Sequence, residues 1–158
     1  MSELPRRYTL ASEQETTALG ARLAPLAQRG AVFAVSGPLG AGKTTLARGL
    51  ITALGGSEND EIVSPTFTLV QTYDTDAGTV WHFDLYRLKN PDEAVELGFE
   101  EALADICVVE WPERLGQLLP ANRIDVQLVH AGAGRTAEVA GRGRMAETVR
   151  MWNANAET

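Results

Sequence analysis

Eight consecutive residues carry the clearest chemistry in this chain. Gly37, Pro38, Leu39, Gly40, Ala41, Gly42, Lys43 and Thr44 spell G-x-x-x-x-G-K-T, the spacing of a phosphate-binding P-loop. Glycines lack Cβ atoms, so the backbone can reach positive φ and turn its N–H groups toward an anion. Lys43 brings a compact positive charge to the β- and γ-phosphates of a nucleotide, and Thr44 offers a hydroxyl to a metal ion. A glycine-rich turn without a ligand is the plain alternative, and the flanks argue against it. Residues 31–35 are an apolar run and residues 45–51 are helical in pattern, giving the strand–loop–helix context of the motif. The unpaired N–H groups and dipole of that helix face the same anion. The expected ligand class is a nucleoside triphosphate with magnesium.

Such a loop needs an acid at the end of a neighbouring strand, to hold the metal or order its water. Two acids follow apolar runs: Glu110 after Ile106-Cys107-Val108-Val109, and Asp84 after Val80-Trp81-His82-Phe83. Glu110 is the better candidate for the metal shell, because four consecutive apolar residues read as a strand buried on both faces. Asp84 is the second catalytic candidate, and either could be an ordinary strand-end acid. Thr66, in Ser64-Pro65-Thr66, stands where switch segments of nucleotide hydrolases place a Thr on the γ-phosphate. A Ser-Pro turn opening a strand has the same signature. Trp111 directly follows Glu110 and is expected at the edge of the site. His82 and His130 read as packing residues, since no second His, Cys or acid lies at metal-ligand spacing. Arg87 could neutralise phosphate charge or simply pair near the sheet edge.

The elements that must position these groups can be read in order. Residues 6–10 suit a short edge strand. Ser12 with Glu15 makes a capping box for a helix to about Gln28, with Leu19, Leu23 and Leu26 at helical spacing. After the P-loop, a helix from Lys43 to about Leu54 stops at Gly55-Gly56. Residues 67–73 and 80–86 are rich in β-branched and aromatic types around a polar turn, the pattern of a hairpin. Pro91 suits the first turn of a helix capped by Asn90 and running to Leu97. Residues 106–109 form a buried strand, 112–119 a short helix, and 124–130 and 136–140 two further strands. The expected fold is α/β, a three-layer P-loop NTPase fold with a mainly parallel sheet, an inserted β-hairpin and extra C-terminal strands. Residues 1–140 read as one domain and 141–158 as a C-terminal tail, helical or frayed.

Composition bounds the function classes. The chain has 158 residues, 44% of them hydrophobic, and a net charge of −7. That length suits one domain with a proper core. No apolar run approaches a membrane span, and the N-terminus has arginines but no apolar stretch behind them, unlike a secretory signal. An acidic domain is poorly suited to gripping a nucleic-acid backbone, so any service to RNA is expected to pass through a partner. The single cysteine, Cys107, lies in an apolar run and reads as buried; one thiol makes no internal disulfide, and the expected compartment is the cytosol.

Taken together, the P-loop through Thr45, Ser64-Pro65-Thr66-Phe67-Thr68-Leu69-Val70, His82-Phe83-Asp84-Leu85-Tyr86-Arg87-Leu88, Glu96-Leu97-Gly98 and Val109-Glu110-Trp111-Pro112-Glu113 closely resemble the bacterial TsaE family, formerly called YjeE. The resemblance covers roughly residues 10 to 140. It implies a small ATPase, using ATP and Mg²⁺, needed for the threonylcarbamoyladenosine modification beside the anticodon of tRNA. In that family TsaD and TsaB carry the transfer site, and ATP hydrolysis by the docked third protein supports repeated turnover. The implied partners are therefore TsaD and TsaB homologues, with tRNA reached through their complex; neither a membrane nor direct DNA binding is expected. Carried over, Leu39, Gly40, Ala41, Gly42, Lys43, Thr44 and Thr45 would hold the phosphates, and Thr44 with Glu110 the magnesium. Thr66 would belong to a switch-like segment and Asp84 would be a catalytic acid. Trp111 would lie beside the nucleotide, Arg135 would reach it, and Glu13 would lie in the segment near the adenine. Pro38 stands where many members carry Asp, and residues after Val139 follow no matching pattern.

Rival classes lack their marks. A small-molecule kinase needs an arginine-rich lid and an acceptor pocket. A GTPase needs N-K-x-D, and Lys89-Asn90-Pro91-Asp92 has the wrong order. An ABC-type ATPase needs L-S-G-G-Q. A nucleotide-dependent binding module, for which hydrolysis is incidental, is a rival of another class, and mutants that bind but do not hydrolyse ATP separate it.

Overall fold

The P-loop strand lies at the centre of the sheet, where Val32, Phe33, Ala34 and Val35 are all buried. The computed structural model describes residues 6–56 and 69–156, with backbone alone for 153–156. Seven strands form one sheet in the order β1-β7-β6-β2-β5-β4-β3. These are β1 (Arg6–Leu10), β2 (Val32–Ser36), β3 (Val70–Thr75), β4 (Gly78–Asp84), β5 (Ile106–Glu110), β6 (Arg123–Ala131) and β7 (Gly134–Arg142). The four central strands, β4, β5, β2 and β6, run parallel. Antiparallel partners close both sides, β3 on β4 as the hairpin, and β7 and β1 beyond β6.

Helices α1 (Glu13–Arg22), α2 (Lys43–Ala53) and α5 (Met145–Ala156) cover one face, and α3 (Asp92–Glu96) and α4 (Phe99–Ala102) the other. Strand parity assigns the side chains. Phe33, Val35, Ile106 and Val108 join the larger core with Leu46, Leu50 and Ile51 of α2, while Val32, Cys107 and Val109 face Phe83 and Phe99. Every residue of β5 is buried, as its apolar run requires. Burial holds the Cys107 thiol well up, to about 12, with the Asp105 charge adding to the effect.

Packing outweighs propensity in α2. Gly49 in a helix interior costs about 1 kcal/mol relative to Ala. A Cβ there would sit 2.2 Å from the Thr17 carbonyl oxygen, and one at Gly20 would sit 2.1 Å from that of Leu46. The two glycines let α1 and α2 touch backbone to backbone.

Several local expectations change. The first helix ends at Arg22 and continues as a 3-10 turn over Ala24–Leu26, because Pro25 cannot donate an N–H to a longer helix. Asn90 does not cap α3. The cap position is Pro91, and the Glu93 carboxylate accepts from the Lys89 and Asn90 amides instead. Helix α4 follows Gly98, which turns the chain at φ 93°. The segment 112–119 is 3-10 in character over Pro112–Leu118. In the C-terminal segment, β7 reaches Arg142, and α5 then returns to pack Val149 and Trp152 into the larger core, with the indole N–H donating to the Arg22 carbonyl. Among the described residues no helix is long and apolar enough to cross a membrane.

Candidate functional site

The parallel strands place their C-terminal ends on one edge of the sheet, where open α/β sheets hold ligands. Val35 is opposite Glu110, and Glu110 is opposite Asp84. The P-loop leaves the end of β2 at this level and feeds α2. Gly42, at the N-cap of α2, has φ 101° and no side-chain cap; a side chain there would be strained. The first backbone bond into α2 is Leu46 N–H to Gly42 O. The amides of Lys43, Thr44 and Thr45 precede it and stay available to an anion.

Lys43 is almost wholly buried, 5% exposed. Its ammonium donates to the carbonyl oxygens of Gly37 at 2.7 Å and Pro38 at 2.8 Å, and lies 4.2 Å from the centre of the Trp111 ring. Burial pulls its pKa below the usual lysine value, opposed by the charges of Glu110, Asp84 and Glu113. Trp111 reaches this place through a left-handed backbone, φ 61° and ψ 52°, rare for a bulky residue. That turn aims the indole back over the loop, where it also packs on Tyr86 at 4.9 Å.

Thr44 points its hydroxyl at Glu110, 2.9 Å from Oε1 and 3.0 Å from Oε2. A carboxylate only accepts, so the hydroxyl donates and its lone pairs stay open for a cation. Glu110 and Asp84 are both buried, and Asp84 Oδ1 accepts from the Tyr86 amide at 3.1 Å. His82, also buried, sets Nε2 2.6 Å from Glu110 Oε2. The expectation that His82 only packs is therefore corrected: it bonds the candidate metal-shell acid. Parity held the signal, since His82, Asp84 and Glu110 alternate with Phe83 and Val109 of the opposite core.

On the other flank the β6–β7 turn leans over the loop. Arg135 donates to the Gly40 carbonyl at 2.9 Å, and His130 Nε2 lies 3.2 Å from the Leu39 carbonyl. Leu39 itself projects outward, 63% exposed, while Ala41 is fully buried in the larger core. Glu13, Thr16, Gly40, Gly42, Thr45 and Arg135 share the lining of a cavity of about 260 Å³, which brings the expected Glu13 and Arg135 to one place beside the loop. Arg87 is exposed in the turn after β4. Thr66, with Ser64 and Pro65, lies outside the described residues.

The donor set fits a polyphosphate and a hard divalent cation. A buried ammonium now satisfied by carbonyl oxygens can exchange them for phosphate oxygens, and uncapped amides beside it await an acceptor. The Thr44 oxygen and the acids behind it suit an oxygen-seeking ion such as Mg²⁺.

The chain is similar to known proteins in both sequence and fold. Residues 10–138 match the family described as Threonylcarbamoyl adenosine biosynthesis protein TsaE. A Rickettsia conorii protein named tRNA threonylcarbamoyladenosine biosynthesis protein TsaE is 46% identical over 122 residues, spanning 77% of this chain and 69% of its own length. Its Treponema pallidum namesake is 37% identical, over 82% of this chain and 96% of that protein. The crystal structure of Bacillus subtilis YdiB superposes with a TM-score of 0.82 at 26% identity, covering 100% of this chain and 99% of that one.

Proposed function

The chain belongs to the TsaE family, and so to tRNA threonylcarbamoyladenosine biosynthesis; from that premise we propose that it is an ATP hydrolase working on a partner complex. It binds Mg²⁺ and ATP at the P-loop and hydrolyses ATP while docked on TsaD and TsaB, with tRNA reached through them. One observation carries the reading: a buried lysine and a Thr–Glu pair converge at the start of an uncapped helix.

In this reading Lys43 leaves the Gly37 and Pro38 carbonyls for the β- and γ-phosphate oxygens, while the amides from Gly40 to Thr45 surround the phosphates. Mg²⁺, when bound, neutralises charge on the β- and γ-oxygens. Thr44 and Glu110 hold its place. Asp84, beside Glu110 at the next strand end, orients a water and takes its proton as the oxygen bonds to the γ-phosphorus. The bond from that phosphorus to the bridging oxygen breaks, and ADP leaves. Such transfer needs mainly positioning and charge stabilisation. Trp111 covers the lysine and keeps bulk water from it, and Arg135 with Glu13 borders the cavity on the nucleoside side.

A reconstituted tRNA modification assay with TsaD, TsaB and the enzyme supplying the threonylcarbamoyl donor tests the reading. Wild type supports many rounds and Lys43→Ala does not. Undiminished multi-round product with Lys43→Ala removes the ATPase reading in favour of a nucleotide-dependent binding module. Stimulation without TsaD and TsaB removes the partner reading.

A further inference from the structure

A buried imidazole stands directly behind the candidate metal-shell acid. His82 is fully buried on β4, and Glu110 ends β5. The register sets His82 opposite Val108 and Asp84 opposite Glu110. His82 and Glu110 are thus diagonal neighbours on the face beneath α2, close enough for side chains to meet. The imidazole Nε2 lies 2.6 Å from Glu110 Oε2, and Nδ1 has no partner among the described residues.

The donor follows from these contacts. A ring nitrogen facing a carboxylate oxygen must carry a proton, so the hydrogen of this bond belongs on Nε2. An isolated imidazole in an apolar layer is a poor packing residue, since a buried unpaired nitrogen carries a desolvation penalty that Leu or Phe would avoid. One strong bond to a carboxylate gives the ring a reason to be there. That bond also removes a freedom from Glu110. Without it the carboxylate can rotate about its last torsion, which is broad. With it, Oε2 is pinned by His82 and both oxygens face the Thr44 hydroxyl.

We infer that His82 is a positioning residue, whose Nε2–H fixes the Glu110 carboxylate so that it holds the Thr44 proton and leaves the Thr44 lone pairs toward the cation. The inference rests on the proposed Mg²⁺ and ATP site. Partners of this outer kind orient metal-binding groups and typically change metal affinity 10–100-fold when removed.

The test uses the full chain, with Mn²⁺ as a spin probe and a non-hydrolysable ATP analogue. In His82→Leu, Mn²⁺ binding to the nucleotide-loaded protein, read by electron paramagnetic resonance, weakens about tenfold or more. Analogue affinity in EDTA stays within about twofold, since Lys43 and the loop amides are untouched. His82→Gln, whose amide nitrogen occupies the place of Nε2, recovers most of the Mn²⁺ affinity. Unchanged Mn²⁺ binding in a folded His82→Leu, or a His82→Gln as poor as His82→Leu, overturns the inference. Should His82→Leu not fold, ¹⁵N-histidine spectra of the native chain decide. The inference requires the Nε2–H tautomer and a Nε2 signal that moves when Mg²⁺ joins the bound analogue; an Nδ1–H tautomer overturns it. A native chain that binds the analogue but no Mn²⁺ with it removes the metal site itself, and the tautomer then still reports on the His82–Glu110 bond.

Discussion

The two flanks of the P-loop are built from different strand arrangements and hold it in different ways. On one side, parallel strands β4 and β5 end in register and present Asp84 and Glu110, both nearly inaccessible to water. On the other, the antiparallel β6–β7 hairpin places Arg135 and His130 against the outer carbonyls of Gly40 and Leu39, where solvent reaches. The buried flank acts on the Lys43 and Thr44 side chains, and the exposed flank only on loop backbone. Charge interactions are several times stronger in a dry setting than beside water, so the two flanks must differ in what their loss costs.

Lys43→Ala has the largest expected effect. It removes the one charge that the buried flank, the loop carbonyls and the Trp111 ring converge on, and ATP hydrolysis in the assembled complex falls about 10²-fold or more. Steady-state phosphate release measures it. A fall no greater than that of an exposed-flank variant would erase the distinction between the flanks.

Glu110→Gln comes next. The amide keeps the shape but can no longer accept with both side-chain termini, so the paired contacts to Thr44 and His82 cannot all survive. The Mg²⁺ concentration for half-maximal hydrolysis rises about tenfold or more, while nucleotide binding in EDTA is retained. A magnesium titration that superposes on wild type would return Asp84 to first place as metal-shell acid.

The buried flank was also the harder one to read from sequence. The P-loop is local: its spacing, the apolar run before it and the helix after it lie within about twenty residues, so Lys43 and Thr44 were identifiable at once. Glu110 and Asp84 followed from apolar runs ending in acids. The His82–Glu110 bond did not, because its members are 28 residues apart and only the β4–β5 register brings them together. A lone histidine offers no spacing to read. The same limit hid the docking of α5 by Trp152 on α1, 130 residues away, whereas the Glu93 contacts that replace the expected Asn90 cap are local, three and four residues apart. Local rules placed most elements, and long-range register decided which polar groups met.

Arg135→Ala probes the exposed flank. It deletes a bond to the Gly40 carbonyl and one side of the cavity shared with Glu13. A single partly solvated hydrogen bond contributes on the order of 1 kcal/mol, so the Michaelis constant for ATP rises by a few-fold and turnover at saturation barely changes. A loss in turnover comparable to that of Glu110→Gln would show that the hairpin reaches the reacting phosphate, and the contrast between flanks would fail.

The smallest effect concerns stability, and it runs opposite to activity. Burial lowers the Lys43 pKa in the folded chain, outweighing the attraction of Glu110, Asp84 and Glu113. Between the folded value and the unfolded one near 10.5, the unfolded chain binds the extra proton, so this group's contribution to stability rises with pH across that window. Below it, both states carry the charge and the folded state bears the cost of burying it. Lys43→Met keeps the stem and removes the charge. It should therefore be more stable than wild type at neutral pH, with the advantage shrinking as pH climbs toward 10.5. Urea unfolding of both proteins at pH 7 and pH 10 measures the difference, in which the other titrating groups largely cancel. An advantage that stays constant or widens would mean that the acids of the buried flank stabilise the ammonium more than burial penalises it. A shrinking advantage means that the chain tolerates a costly buried charge at the place where a polyphosphate would compensate it.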